Sequence, residues 1–217
     1  MAFELEHCVI QHIPRTGGFW IRNLLETNKI PFESLLYSPE DREKRPTRPI
    51  ERDLIGTKKV DRIHCRIDTK KPSLVIVRFP PSWYISYYTH KAQHEVWYDS
   101  KLDRCRDGNY SMFEGFEPFI DNVIKTFPDG FLSYLYEYYA DNPNTTVGRT
   151  ETLGPSVRKF IEKYEDISFS AYEPTVKINA SSHPVAYYMN QPLMNKIMDY
   201  EEVAVRTYYG PNTEKDT

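Results

Sequence analysis

Two short segments of the sequence carry residues that could hold a phosphate or sulfate group. The first is the loop Pro14-Arg15-Thr16-Gly17-Gly18, which lies between a predicted strand and a predicted helix. At such a place, glycine backbone and unpaired helix N-terminal amides can approach an anion closely. The glycine pair alone is equally typical of a plain turn. The lack of a G-x-x-x-x-G-K-[ST] sequence disfavours an ordinary Walker A kinase or ATPase.

The second segment runs from Arg78, which closes a predicted strand, to Ser86, eight residues later on a predicted helix. A turn of about 3.6 residues lets both side chains reach one ligand group. Guanidinium and hydroxyl would then clamp a phosphate beside the carboxyl end of the strand, where open α/β sheets bind ligands. The alternative for Arg78 on its own is a surface ion pair.

Helices and strands with the right connections are needed to position these segments. Apolar runs bounded by proline and glycine predict strands, and apolar residues at three- and four-residue spacing predict helices. Alternation of the two predicts an α/β fold with a central, mainly parallel sheet flanked by helices. Residues 131–139 give no clear choice between helix and strand. The predicted elements are strands at 8–13, 60–67, 73–77 and 145–149 and helices at 19–25, about 82–96, 155–164 and 193–208.

One domain spanning 1–217 is expected, because a chain of 217 residues fits the usual size of a single domain and shows no internal repeat. Loop insertions are predicted at 38–52 and 97–114. The segment 38–52 is polar and contains three prolines, which is typical of an exposed connection. The alternative is that it forms a lip beside an anionic substrate.

Composition limits the expected partners and compartment. Lys and Arg total 28 against 31 Asp and Glu, a net charge of -3, so no overall positive field attracts nucleic acid or an anionic membrane. The cysteines Cys8, Cys65 and Cys105 have no CxxC spacing, which argues against a disulfide framework or zinc site and fits a reducing compartment. No apolar run reaches the roughly 18 residues of a membrane span. We expect a soluble cytoplasmic protein with no nucleic-acid or membrane partner.

Four motifs in this order resemble the sulfotransferase superfamily that uses 3′-phosphoadenosine 5′-phosphosulfate (PAPS). Residues 12–18, His-Ile-Pro-Arg-Thr-Gly-Gly, are similar to the 5′-phosphosulfate loop of that family, usually H-I-P-K-T-G-G-[ST], and are closest to the carbohydrate-type branch. Residues 78–86 resemble its 3′-phosphate motif, 147–153 its V-G-R-x-E-x-L segment, and 208–210 its terminal Y-Y-G. The resemblance implies a P-loop-like three-layer fold and sulfuryl transfer from PAPS, with 3′-phosphoadenosine 5′-phosphate (PAP) as product.

The resemblance also implies roles for individual residues. Arg15 and the loop would hold the 5′-phosphosulfate, with Arg15 also stabilising the transferring group as a catalytic residue. Arg78 and Ser86 would hold the 3′-phosphate. Arg15 stands where lysine is customary, keeping the charge on a bulkier group, and Phe19 stands where Ser or Thr is customary. The predicted cofactor-binding residues are Pro14, Arg15, Thr16, Gly17, Gly18, Phe19, Trp20, Arg78, Ser86 and Arg149.

Removal of the acceptor hydroxyl proton needs a base, and His64 is the first candidate because neutral imidazole transfers protons near neutral pH. The alternative for His64 is a structural or acceptor-positioning role. His90 and His94 lie four residues apart and could serve as base or metal ligands, but the sequence places no third ligand, so a solvated face is favoured and no metal is expected. His12 would support the glycine loop or pack within its strand.

The acceptor is expected to be a hydroxyl of a carbohydrate or small metabolite. Trp97, Tyr98 and the tyrosines after Phe131 could line its pocket or belong to the core. The segment 179–182, Asn-Ala-Ser-Ser, could close over the adenosine or simply connect elements. Two other function classes stay open: a P-loop-like nucleotide kinase or NTP-binding switch, which the missing Walker lysine disfavours, and a noncatalytic nucleotide-binding module.

Overall fold

The structure is a computed structural model that describes residues 2–35, 66–67, 69–94, 115–169 and 190–211, with backbone only for 90–94. The predicted loop insertions at 38–52 and 97–114 lie outside the described residues. Of the predicted strand at 60–67, only 66–67 are described, and these two residues are not in a strand.

Within these described ranges, five strands form one sheet in the order β3-β1-β2-β4-β5. β2, β4 and β5 are parallel neighbours, while β1 pairs antiparallel with both β2 and β3. The predicted α/β class and the parallel strands are therefore confirmed. The sheet as a whole is mixed, because two three-residue strands that the sequence pattern did not indicate add an antiparallel edge. The strands are β1 (Ala2–Glu4), β2 (Val9–Gln11), β3 (Glu33–Leu35), β4 (Ser73–Val77) and β5 (Thr145–Arg149).

Seven α-helices lie in the described part of the chain. Those after the glycine loop, after Arg78 and after β5 are where the sequence predicts them, and the ambiguous tyrosine-rich segment is a helix. The predicted last helix at 193–208 is two helices that meet at Glu201. The helices are α1 (Gly18–Thr27), α2 (Pro80–His94), α3 (Phe116–Thr126), α4 (Phe131–Ala140), α5 (Leu153–Tyr164), α6 (Gln191–Tyr200) and α7 (Glu202–Tyr209).

β4 is the centre of the core. All five of its residues are buried, as expected for a parallel strand covered on both faces. Its side chains alternate: Val75 and Val77 join an apolar cluster with α2, α3, α4, α6 and α7, whereas Leu74 and Ile76 join a second cluster with α1 and α5. The sheet thus separates two apolar clusters, and helices contribute to both.

None of the helices in the described ranges combines the length and the apolar character that crossing a membrane requires.

Candidate anion site

The carboxyl ends of the three parallel strands lie at one edge of the sheet. β2 leads there into the glycine loop, β4 into Arg78, and β5 into a 3-10 turn at Thr150–Thr152. This edge is where the open parallel part of an α/β sheet binds ligands. The topology therefore brings both sequence-predicted anion-binding segments to one place.

The glycine loop is tight, and its two glycines are required for different reasons. Gly17 has φ +94°, and a Cβ there would lie 2.6 Å from Cδ2 of Leu153. A Cβ on Gly18 would lie 2.0 Å from Nε2 of His12. His12 therefore packs directly against the loop, as one of its two predicted roles requires. At either position a larger residue would displace a neighbouring side chain.

Helix α1 begins at Gly18. Its N-cap residue, Gly17, has no side chain to cap the first amides, and its first turn contains no acidic residue. The hydroxyl of Thr16 is buried and donates to the carbonyl of Ile13 over 2.8 Å. The side chain of Thr16, a predicted ligand-binding residue, therefore forms a hydrogen bond within the loop itself. Anions are stabilised at such helix ends by the dipole and the free N–H groups.

Arg15, Arg78 and Ser86 meet at this edge. The Nε of Arg15 donates to Oγ of Ser86 over 3.2 Å. The guanidinium of Arg78 donates to the carbonyl of Arg15 over 3.1 Å. The sequence predicts Arg78 and Ser86 as partners in one clamp, and the structure places Arg15 between them. Arg15 itself has φ +68°, a left-handed conformation that is uncommon for a residue with a side chain.

Burial makes it costly to hold both guanidinium groups charged, and the charge of Arg78 adds to that cost at Arg15. Burial, and then the positive charge of Arg78, lowers the pKa of Arg15 to about 10. Burial is also the main cause that lowers the pKa of Arg78, and Glu151 is among the groups that oppose it. Within the part of the chain that the structure describes, no carboxylate lies within ion-pair distance of either group. Two partly buried cations in this state are stabilised by an anion that contacts both.

The end of β5 adds Arg149 and Glu151 to the same edge. The guanidinium of Arg149 lies over the ring of Tyr209, 5.1 Å from its centroid. The hydroxyl of Tyr209 donates to Oε2 of Glu151 over 3.3 Å, and its ring packs edge-on against Phe79 at 5.4 Å. The motifs at 147–153 and 208–210 are thus in contact, although Arg149 is directed at an aromatic face.

Phe19 and Trp20 follow the loop on α1 and differ in exposure. Phe19 is 56% exposed, one of two large apolar side chains that stand out as exposed among the described residues. Trp20 is half-buried and packs on the cluster under α1. An apolar ring, rather than a hydroxyl, therefore stands exposed at the start of the helix.

Two aromatic residues that the sequence analysis does not single out hold the site from beneath. The indole Nε1 of Trp83 donates to the carbonyl of Pro14 over 2.8 Å. The hydroxyl of Tyr136 donates to the carbonyl of Arg78 over 2.7 Å and accepts from its N–H over 3.2 Å. Trp83 lies within the motif at 78–86, which is a usable signal. Tyr136 is one of five tyrosines and phenylalanines within nine residues, and nothing in the pattern distinguishes it.

Several predicted residues lie outside the described residues or lack described side chains. His64, the candidate base, is among them, with Trp97, Tyr98 and the segment 179–182; His90 and His94 have a described backbone only. Ile67, three residues after His64, is held at the end of β2: its N–H donates to Oε1 of Gln11 over 2.9 Å, and Nε2 of Gln11 donates to its carbonyl over 2.7 Å.

The tyrosines of α4 belong mainly to the core, one of the two roles predicted for them. Tyr136, Tyr138 and Tyr139 are each at most 5% exposed and pack in the cluster that contains Val75 and Val77. Among the described residues, no three His, Cys, Asp or Glu side chains are grouped so that they could hold a metal ion.

Comparison of the chain with protein-family models, with curated proteins and with solved structures finds no match.

Proposed function

We propose that this chain is a PAPS-dependent sulfotransferase that transfers the sulfuryl group to a hydroxyl of a carbohydrate or small metabolite. The observation that carries the proposal is the pair of partly buried guanidinium groups, Arg15 and Arg78, whose pKa values are both lowered at the carboxyl edge of the parallel strands. Two adjoining cations suit a ligand with two separate anionic groups, which PAPS has. The four sequence motifs supply the identity of that ligand.

The fold proposed with this function is a P-loop-like, three-layer α/β arrangement. Apolar clusters on the two faces of β4, each completed by helices, support it. The tight strand-loop-helix unit around Gly17 and Gly18 supports it as well.

In the proposed reaction, an oxygen of the acceptor forms a bond to sulfur, and the bond from sulfur to the phosphate oxygen of PAPS breaks. PAP leaves with the electron pair of that bond, and the acceptor proton passes to a base, for which His64 stays the prediction. Arg15 and the first amides of α1 would stabilise charge on the transferring group, as preorganised donors do in related transfers. Arg78 and Ser86 would hold the 3′-phosphate.

Calorimetric titration with PAP, against ATP with Mg²⁺, tests the nucleotide site. Wild type is expected to prefer PAP, because the 3′-phosphate adds a second anionic contact. Arg15→Ala and Arg78→Ala should each weaken PAP binding at least tenfold, since charge-assisted bonds contribute about 1.5–3 kcal/mol. Arg206→Ala removes an exposed arginine and is the matched control. Unchanged PAP affinity in both site variants would refute the site.

Turnover tests the enzyme itself. PAP release from PAPS with a panel of hydroxyl acceptors is expected in wild type and is expected to be lost in His64→Ala while PAP affinity is kept. Preference for ATP with Mg²⁺ over PAP would instead identify a nucleotide kinase or NTP-binding switch. PAP binding without turnover on any acceptor would identify a noncatalytic module. The observation that favours this alternative is the exposed phenyl ring of Phe19, at a position where the resembled family customarily has a hydroxyl.

A further inference from the structure

The backbone of Arg78 is held by one side-chain hydroxyl. The last residue pair of β4 and β5 is Val77 with Arg149, so Arg78 lies just beyond the ladder. Backbone groups that leave a ladder in a packed region need other partners. Tyr136, fully buried on α4, supplies both hydrogen-bond partners of the Arg78 backbone. Its hydroxyl accepts from the Arg78 N–H over 3.2 Å and donates to the Arg78 carbonyl over 2.7 Å.

This contact bears on where the Arg78 guanidinium lies. The direction in which a side chain leaves the backbone is set at its own Cα, and the guanidinium of Arg78 reaches the carbonyl of Arg15 at 3.1 Å. Binding groups must be held within about 0.5 Å and 10–20° of their working geometry. We propose that Tyr136 is a positioning residue of the anion site, which aims the Arg78 guanidinium at the glycine loop by fixing the Arg78 backbone. The inference rests on the function proposed above.

Tyr136 is itself firmly held, so its hydroxyl cannot follow a displaced Arg78. The N–H groups of Leu132 and Ser133, one turn before Tyr136 on α4, donate to the buried carboxylate of Glu201 over 2.9 and 2.8 Å. These bonds fix the start of α4. The ring of Tyr136 packs edge-on against Tyr208 at 5.8 Å. Burial raises the pKa of Tyr136, so the hydroxyl stays neutral and can donate and accept at once.

The chain contains a matched control for this hydroxyl. Tyr200 also bridges a backbone carbonyl and a backbone N–H, donating to Phe127 over 2.6 Å and accepting from Phe131 over 3.0 Å. Tyr136→Phe and Tyr200→Phe therefore remove the same two kinds of bond from the same side of the sheet. Only the first removes them from Arg78, so a merely structural role predicts no change at the Arg78 guanidinium that is specific to Tyr136→Phe.

The first measurement needs no ligand. In nitrogen-15 spectra of the arginine side chains, with Arg78 assigned through Arg78→Lys, its guanidinium should give resolved, slowly rotating signals in wild type and in Tyr200→Phe. In Tyr136→Phe those signals should average, because the guanidinium is no longer held against the loop. An unchanged Arg78 signal in Tyr136→Phe overturns the proposal, whether or not the protein binds PAP.

The second measurement is PAP titration in a double-mutant cycle. Tyr136→Phe should weaken PAP binding about tenfold, the lower end for supporting groups, while Tyr200→Phe changes it less than twofold. In an Arg78→Ala background, Tyr136→Phe should cause no further loss, because the two effects act through one group. A full tenfold loss in that background overturns the proposal. If wild type does not bind PAP, the proposed function fails, and the arginine spectra alone decide the role of Tyr136.

Discussion

Replacement of Arg15 by glutamine should make the unliganded protein more stable, although it damages the proposed site. Burial and the charge of Arg78 lower the pKa of Arg15 from its ordinary value to about 10. At ~1.36 kcal/mol per pKa unit this corresponds to about 3 kcal/mol against the charged form. That figure is a ceiling, because solvent screens a partly exposed charge. At neutral pH, well below the folded-state pKa, the whole of this cost is present.

The gain is reduced by one lost bond. Arg15→Gln removes the charge-assisted hydrogen bond from Nε to Oγ of Ser86, which contributes about 1.5–3 kcal/mol. The net stabilisation should then be at most about 1.5 kcal/mol, or a rise in Tm of at most about 4 °C for a chain of this size. Glutamine and arginine are equally unfavourable in the left-handed backbone conformation at position 15. The substitution therefore changes the charge without changing the backbone strain.

Thermal unfolding with and without PAP is the assay. In wild type, PAP at a hundredfold excess over its Kd should stabilise the fold by about 2.7 kcal/mol, equivalent to 5–10 °C in Tm. At the same PAP concentration, a tenfold weaker affinity in Arg15→Gln should reduce that stabilisation to about 1.4 kcal/mol, roughly half of the wild-type rise in Tm, while the ligand-free Tm goes up. Arg206→Gln, which removes an exposed charge, should change neither value. A ligand-free Tm that falls in Arg15→Gln would refute the electrostatic reasoning, and an equal PAP-dependent rise in both proteins would refute the site.

Three further predictions concern groups around the site and its support. Glu201→Ala leaves buried donors unpaired, including the N–H groups that begin α4. It should therefore lower the free energy of unfolding, measured in urea, by about 3 kcal/mol. The control Glu202→Ala, at an exposed position, should lower it by less than about 0.5 kcal/mol. Because burial raises the pKa of Glu201 above 4.5, wild type should lose stability as the pH rises through that folded-state pKa, a slope that Glu201→Gln should abolish in pH-dependent urea titrations. Gly18→Ala should lower the free energy of unfolding by more than about 2 kcal/mol and weaken PAP binding, because the added Cβ meets the ring of His12. In the double variant, His12→Ala should restore both the stability and the PAP affinity. Lack of rescue would mean that this steric account is wrong.

The sequence predicts the parallel half of the sheet because its signals are local and strong. Five consecutive apolar residues at 73–77, and the glycine pair after 8–13, each limit the backbone to one choice. The antiparallel strands β1 and β3 are three residues long and gain their stability from pairing, so no periodicity marks them. The single predicted helix at 193–208 is broken at Glu201, whose buried carboxylate bonds to α4, a tertiary contact that residue spacing does not contain.

The same distinction separates what could be predicted of the site. Arg15, Arg78 and Ser86 are in recognisable motifs, and the topology brings them together. Their mutual arrangement depends on bonds between a side chain and a distant backbone, as with Trp83 on Pro14. A pattern of residue types cannot contain such contacts, because they connect positions 58 or more residues apart through the core.

Buried tyrosines of the chain supply this kind of support. With 17 tyrosines and a mean hydropathy of -0.63, the sequence looks poor in core material. Yet Tyr84, Tyr136 and Tyr139 are at most 1% exposed, and the hydroxyls of Tyr84 and Tyr136 are bonded to the Glu201 carboxylate and the Arg78 backbone. A phenol fills core volume and still satisfies polar groups that a sheet edge leaves unpaired. An edge that holds two cations without carboxylate partners in the described chain needs that combination, because an apolar core alone would pack beneath it without fixing its backbone.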